Sequence, residues 1–358
     1  MNVLIDVGHP GHVHFFKNAA GILEKQGHEI LFTVRGKDVT VDLMSTLPFE
    51  YRITGKSKNK MTGKALDTIM KDYKTYQAAK KFNPDILLGI HSPYIAHVSR
   101  ALRKPGIVFT DTELVGYNWI VFPFAKYVVT PRCYRKNHGI KHIRYDGYHE
   151  IAYLHPSYFN PQKKLIDDLG LTANDYVVIR LIAWNAYHDR SLNGMDRERL
   201  KVLIGRLEKE VDVVISSERE LPRELEKYKA NIPVSEFHSL IHYASLCISE
   251  GSTTAIEAAL LGTPSAHIEA MKSVKHNGNG NGKLYPSGST SGVLRELNEK
   301  YSLLNYFATL EQAEPFIERV VANREKCKAK WLGKREKLFS DKTDVSRWMV
   351  DLIEKTAY

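Results

Sequence analysis

Residues 249–264 read SEGSTTAIEAALLGTP. The apolar run just before, from Leu246 to Ser249, is a short strand, and Gly251 permits a tight turn after it. Ser252 is the expected cap of a helix over residues 253–261, which Gly262 and Pro264 end. Residues 265–268 form the next strand. The first turn of such a helix leaves backbone N–H groups unpaired at the positive end of the helix dipole, and a glycine beside them lets a phosphate come close. Gly251, Ser252, Thr253 and Thr254 are therefore the candidate diphosphate contacts. Glu257 lies ~7.5 Å further along the axis, where a carboxylate can accept hydrogen bonds from the diol of an attached ribose. The alternative is an ordinary capped helix whose glutamate faces solvent.

The same grammar runs outward from this stretch. The chain opens with an apolar strand over residues 3–7 and a glycine loop, Gly8-His9-Pro10-Gly11-His12. An amphipathic helix over 13–25, a stop at Gly27 and a strand over 29–34 complete a βαβ unit with a parallel pair. Helices over 67–82 and 94–102 alternate with strands over 85–89, 107–110 and 127–130. Residues 146–162, rich in Tyr, His and Pro, read as an interdomain linker. Beyond it, strands over 176–181 and 211–216 alternate with helices over 197–209, 221–228 and 240–244. From about Glu311 the chain reads as helix, with Trp331, Trp348 and Leu352 as packing anchors. The strands are short, β-branched and non-alternating, which predicts parallel sheets covered on both faces and an α/β fold.

At about 150 residues per domain, a 358-residue chain makes about two domains. They are expected at 1–155 and 165–335, with 336–358 a C-terminal helix packing back on the first. Hydrophobic residues at 43% and charged residues at 26% exclude wholesale disorder. The longest apolar stretch, 117–125, is about half of the ~20 residues a membrane-spanning helix needs. Asp6 interrupts the run that a secretory leader would keep apolar. Three widely separated cysteines make neither a disulfide framework nor a CxxC metal site, so a reducing cytoplasm is expected. A net charge of +10 suits an anionic partner, either a phosphorylated substrate or anionic lipid at the inner face of the membrane. The basic runs KSKNKMTGK (56–64) and REKCKAKWLGKREK (324–337) match no nucleic-acid motif, and nucleic-acid binding is not expected.

The 249–264 stretch resembles the nucleotide-binding signature in the C-terminal domain of GT-B glycosyltransferases and the related UDP-GlcNAc 2-epimerases. The matching positions are Ser249, Gly251, Ser252, Thr254, Glu257, Ala258, Gly262 and Pro264. The loop ending in His12, with its helix stop at Gly27, resembles the opening of the peptidoglycan N-acetylglucosaminyltransferases, which act on a lipid-linked acceptor. His12 falls on that family's histidine. The whole chain is similar to a prokaryotic group of GT-B-like proteins of unknown function. This resemblance implies a GT-B fold, with two Rossmann-like domains whose parallel sheets face each other across a cleft. It implies a nucleotide-sugar donor, UDP-linked, on the second domain and a glycan or lipid-linked acceptor on the first. Diphosphate contact falls to Gly251, Ser252 and Thr253, and ribose contact to Glu257. The loop that such proteins turn toward the donor would present Trp184, Asn185 and His188, and Phe237 and His238 would meet the base. The implied activity is sugar transfer to a hydroxyl in cell-surface polysaccharide or glycolipid synthesis, with no metal and no cofactor beyond the donor.

His12 follows the first strand, at the end of a parallel sheet where such folds place ligands. Its imidazole is the candidate base for the attacking hydroxyl. Gly8 and Gly11 are the candidate phosphate or acceptor contacts of the same loop. Asp111 and Glu113, with His91, stand at neighbouring strand ends as candidates to orient His12 or bind an acceptor hydroxyl. The epimerases carry a His-x-Glu-Ala-Gly signature where this chain has TDTELVG, residues 110–116. That departure favours transfer over UDP-sugar epimerisation or hydrolysis, which stays as the second reading. A third reading is a metal-dependent hydrolase built on His9, His12 and His14, since imidazoles are common zinc ligands. The glycine-rich residues 276–282 (HNGNGNG) read as a lid or a surface excursion.

Overall fold

The computed structural model describes residues 1–36, 38–56, 64–113, 118–182, 195–269 and 291–357. The chain forms two compact units, Met1–Tyr158 with Thr343–Tyr358, and Phe159–Lys342.

Unit 1 starts β1 (Asn2–Val7), α1 (Pro10–Lys25), β2 (Glu29–Gly36), α2 (Asp38–Ser45), β3 (Glu50–Lys56) and α3 (Lys64–Phe82). It continues β4 (Ile86–Ile90), α4 (Pro93–Leu102), β5 (Gly106–Phe109), β6 (Tyr127–Pro131), β7 (His142–Tyr145) and the single turn α5 (Ile151–Leu154). The seven strands make one sheet in the order β3-β2-β1-β4-β5-β6-β7, with every pair parallel. The register pairs Val3 with Ile30 on one side and with Ile86 on the other. Val3, Leu4, Ile5 and Val7 are buried, as are Ile86, Leu87 and Leu88, because helices cover both sheet faces.

Helix α1 begins earlier than its apolar periodicity indicates. Pro10 occupies the first turn, where its missing N–H costs nothing, and the His9 ring caps the helix by accepting the Gly11 N–H at 3.1 Å. Gly11 and His12 therefore belong to the first helical turn rather than to a loop. Val13, Phe16, Ala20 and Leu23 form the buried stripe of that helix.

Unit 2 runs α6 (Lys163–Asp168), β8 (Tyr176–Leu181), α7 (Arg197–Leu207), β9 (Asp212–Ser217), α8 (Phe237–Tyr243) and β10 (Leu246–Ser249). It ends α9 (Ser252–Leu260), β11 (Ser265–Ile268), α10 (Gly292–Glu299), β12 (Leu304–Phe307), α11 (Leu310–Ala322) and α12 (Arg324–Asp341). Its five strands are parallel in the order β12-β11-β10-β8-β9. Residues 223–228, read as helix, form a tighter 3-10 turn after Pro222. The boundary expected at 335/336 falls inside α12, and the chain changes unit at 342/343.

The last helix, α13 (Val345–Ala357), belongs to unit 1. Ser346 Oγ donates to the Ala152 carbonyl at 2.8 Å, and the Thr343 N–H to the Asp146 carbonyl at 2.9 Å. Trp348 packs its ring 5.1 Å from that of Tyr145. The approach is close enough that a Cβ on Gly147 would lie 2.5 Å from Val345 Cγ2. Gly147→Ala should therefore cost about 1–3 kcal/mol by overpacking. A lowered urea midpoint would show it, and an unchanged midpoint would mean that the helix does not seat on Gly147.

Candidate functional site

In each sheet the strand order reverses once, and such a switch point opens a crevice at the carboxyl ends of the strands. In unit 1 it lies between β1 and β4, and in unit 2 between β8 and β10. The polar groups collect there.

At the unit 1 crevice, Asp6 is fully buried near the end of β1. Its carboxylate accepts the Thr33 hydroxyl at 3.0 Å and the Ser92 hydroxyl at 2.6 Å, and pairs with Arg35 at 3.5 Å. The Arg35 guanidinium lies directly over Gly8, where a Cβ would come within 2.2 Å of Nη2. The guanidinium also lies over the Tyr94 ring, 5.2 Å from its centre. The Gly8 N–H points to His12 Nδ1 at 3.4 Å, and the Gly11 N–H is taken by His9. The glycine loop is thus bonded to itself rather than held open as a phosphate cradle. Burial, with Arg35 and the imidazoles of His9 and His149 adding to it, holds His12 well below the usual histidine range, against a smaller pull from Asp111.

His91 follows β4 with φ at 43°, a left-handed conformation uncommon outside glycine, and its Nδ1 lies 3.2 Å from Thr110 Oγ1. Burial first, then His138, lowers it to about 4 against the opposing pull of Asp111. Among the described residues Asp111 makes no hydrogen bond to His12 and pairs with His149 instead. Its Oδ2 lies 3.2 Å from Nδ1 of His149, which follows β7. Burial raises the Asp111 carboxyl, but the charge and hydrogen bond of His149 outweigh that and bring it to about 2. Glu113 is buried, accepts the Arg135 N–H at 3.2 Å and so braces the segment after β6.

In unit 2, α9 starts at Ser252, with Gly251 as its cap residue and no side-chain cap bond to the first turn among the described residues. Ser249 explains this. Its hydroxyl accepts the Gly251 N–H at 3.0 Å and donates to the Gly251 carbonyl at 2.8 Å, closing the turn one residue early. Ser252 and Thr253 are exposed at the helix mouth, and Thr254 is buried. Glu257 is also buried, and its Oε1 accepts from His238 Nε2 at 3.0 Å. His238 is thereby committed to Glu257, while the half-buried ring of Phe237 lies beneath the Arg180 guanidinium at 5.2 Å. Trp184, Asn185, His188 and residues 276–282 lie outside the described residues, as do residues 114–117.

His9, His12 and His14 do not converge. His9 caps its own helix, and His14 is buried beside the Tyr153 ring at 5.2 Å. Among the described residues no three His, Cys, Asp or Glu side chains are grouped as a metal site.

Residues 1–295 match the family described as protein of unknown function (DUF354). The chain belongs to this family. An uncharacterized protein of Methanocaldococcus jannaschii is 24% identical to it over 279 residues, 74% of this chain and 80% of the relative. Among solved structures, the DUF354 chain is similar to the spinosyn forosaminyltransferase SpnP, with a TM-score of 0.62 and 14% identity over 100% and 99% of the two chains. It is similar to Acinetobacter baumannii MurG, with a TM-score of 0.58 and 13% identity over 99% of each chain. It also resembles the UDP-GlcNAc 2-epimerase of Methanocaldococcus jannaschii, with a TM-score of 0.58 and 13% identity over 91% and 92%. At these identities the likeness establishes the fold, which is GT-B.

Two residues of the DUF354 chain that sequence reasoning did not single out hold these sites together. His149 is one. Glu250 is the other: it is buried and accepts the N–H groups of Ile182 at 2.9 Å and Met195 at 2.7 Å, with Arg219 at 3.0 Å. Burial raises its carboxyl against the pull of Arg219. The available signal was its place, an acid between a strand end and a turn glycine.

The imidazoles set a pH dependence. His91 and His142 are each lowered to about 4, His142 by burial, Arg144 and His138, so the unfolded chain binds more protons below the ordinary value of about 6.5. Stability contributed by these neutral rings is complete above about 6.5 and is lost as pH falls toward 4; Asp111 adds a further loss below that. The melting temperature should fall through this window, and less steeply in His91→Gln. A flat profile would contradict the neutral-imidazole site.

Proposed function

We propose that this protein is a glycosyltransferase that takes a sugar from a nucleoside-diphosphate donor, UDP-linked, and passes it to a hydroxyl of a glycan or lipid-linked acceptor. The observation that carries the reading is the uncapped, solvent-facing start of α9 at the switch point of unit 2. The N–H groups of Ser252, Thr253 and Thr254, the exposed hydroxyls and the helix dipole form a receptor for a diphosphate. The same groups would stabilise the charge that develops on the departing diphosphate, so the transfer asks for no metal at that step. Glu257, fixed by His238, would take the ribose. Unit 1 would hold the acceptor among His12, His91, Asp111 and His149.

The fold neighbours support this class of chemistry, since two are named as a forosaminyltransferase and a UDP-GlcNAc 2-epimerase. Epimerisation of a UDP-sugar in the same site is the second reading, and it forms product with no acceptor present.

A cytoplasmic protein working at the inner membrane face would fit the surface of unit 1. Trp119, Phe124 and Ile140 are exposed on turns that Lys141 ties together by donating to the Pro123 carbonyl at 2.8 Å. Arg132, Arg135 and Lys136 are exposed in the adjoining stretch. Amphipathic Trp with Lys and Arg is the combination that seats proteins on anionic headgroups. No helix among the described residues is long and apolar enough to cross a membrane.

UDP should raise the melting temperature of the protein, by the equivalent of about 2.7 kcal/mol at a hundredfold excess over Kd. Thr253→Asp should abolish that shift by repelling the diphosphate, without lowering the unliganded melting temperature, because an acid suits a helix start. No shift with any nucleotide would refute the donor site. Phosphatidylglycerol vesicles should bind the protein at low salt and release it at high salt, and Trp119→Ser with Ile140→Ser should weaken binding. Equal binding to neutral phosphatidylcholine vesicles would remove the charge argument.

A further inference from the structure

We infer that His149, held by Asp111, is the base that takes the proton of the attacking hydroxyl, and that His12 beside it acts as a hydrogen-bond donor. This rests on the transfer reading above and assigns the proton step to a residue that the sequence did not mark.

A base needs an imidazole nitrogen with an open lone pair. In a neutral ring only one nitrogen has it, and the partner of the other nitrogen decides which. His149 Nδ1 faces the Asp111 carboxylate at 3.2 Å, so Nδ1 carries the proton and Nε2 presents the lone pair. Nε2 is buried and has no hydrogen-bond partner among the described residues. The side chain is only 9% exposed, packed 4.3 Å from the Phe15 ring and nearly parallel to the Tyr145 ring at 6.4 Å. A buried polar nitrogen without a partner is costly unless another group completes it. The acceptor hydroxyl completes it on binding, for which the Phe15 and Tyr145 rings packed around the imidazole must give way. His12 shows the opposite arrangement. Its Nδ1 receives the Gly8 N–H, which leaves the proton on Nε2.

In the step, the acceptor O–H proton moves to Nε2 of His149 while the oxygen forms its bond to the anomeric carbon. The bond from that carbon to the diphosphate oxygen breaks, and its electron pair leaves with the nucleoside diphosphate. The Asp111 carboxylate stabilises the imidazolium, which later returns its proton to water.

The full chain with 15N-labelled histidine gives the first test at mildly alkaline pH. His149 should show the Nδ1–H tautomer and His12 the Nε2–H tautomer, assigned with His149→Gln and His12→Gln. Asp111→Asn should switch His149 to Nε2–H, an effect that loss of packing alone would not produce. The second test follows UDP released from UDP-GlcNAc with water as acceptor. His149→Gln and Asp111→Asn should each lower kcat by about a hundredfold or more, the usual worth of a positioned base, and leave KM little changed. Reversed tautomers overturn the assignment whatever the turnover. Wild-type turnover in His149→Gln, with the UDP thermal shift intact, overturns it and leaves the transfer reading standing. A wild type that neither binds UDP nor releases it from the sugar nucleotide overturns that reading instead.

Discussion

One buried carboxylate organises the first unit. Asp6 at the end of the central strand β1 is removed from water, so its charge must be met by protein groups. They come from two elements: Thr33 and Arg35 on β2, and Ser92 at the start of α4. The Ser92 hydroxyl also accepts the Ile95 N–H and so caps α4. Asp6 therefore ties both sides of the switch point to one atom pair, and it pins the Arg35 guanidinium over Gly8. That cation is then part of what keeps His12 neutral. Fold and the charge state of His12 meet in the same ion pair.

Most of the architecture was legible in the chain. Central strands such as β1, β4, β8 and β10 are short β-branched runs, because both of their faces are buried. The strands that escaped notice, β3 (EYRITGK), β7 (HIRY) and β12 (LNYF), all stand at sheet edges. An edge strand keeps polar and charged residues on its open side, which erases the apolar run that marks a central one. The start of α1 was missed for a related reason. Periodicity begins at Val13, yet Pro10 and the His9 cap place the first turn before any apolar residue appears.

The candidate site was legible in its parts and not in its pairings. His12 and Asp111 stand out because they follow strands, and Gly251, Thr253 and Glu257 because they belong to a turn-and-helix pattern. Which of them touch depends on contacts remote in sequence. Asp111 meets His149, thirty-eight positions on, and Glu257 meets His238. Neither spacing has a local signature, since both are set by strand order. The same limit applies to Ser252, which looks like a cap by composition but yields that place because Ser249 closes the turn first.

The chain leaves the first unit at Tyr158 and re-enters it at Thr343, so Phe159–Lys342 is an insertion between two parts of one folding unit. During synthesis the seven-stranded sheet emerges from the ribosome long before the helix that seats on Gly147 and Tyr145. Until α13 has followed, the apolar face awaiting Val345, Met349 and Ile353 stays wet, two residues from His149. A nascent chain would thus expose the segment around His149 unsupported until the whole of the second unit and α13 had been made.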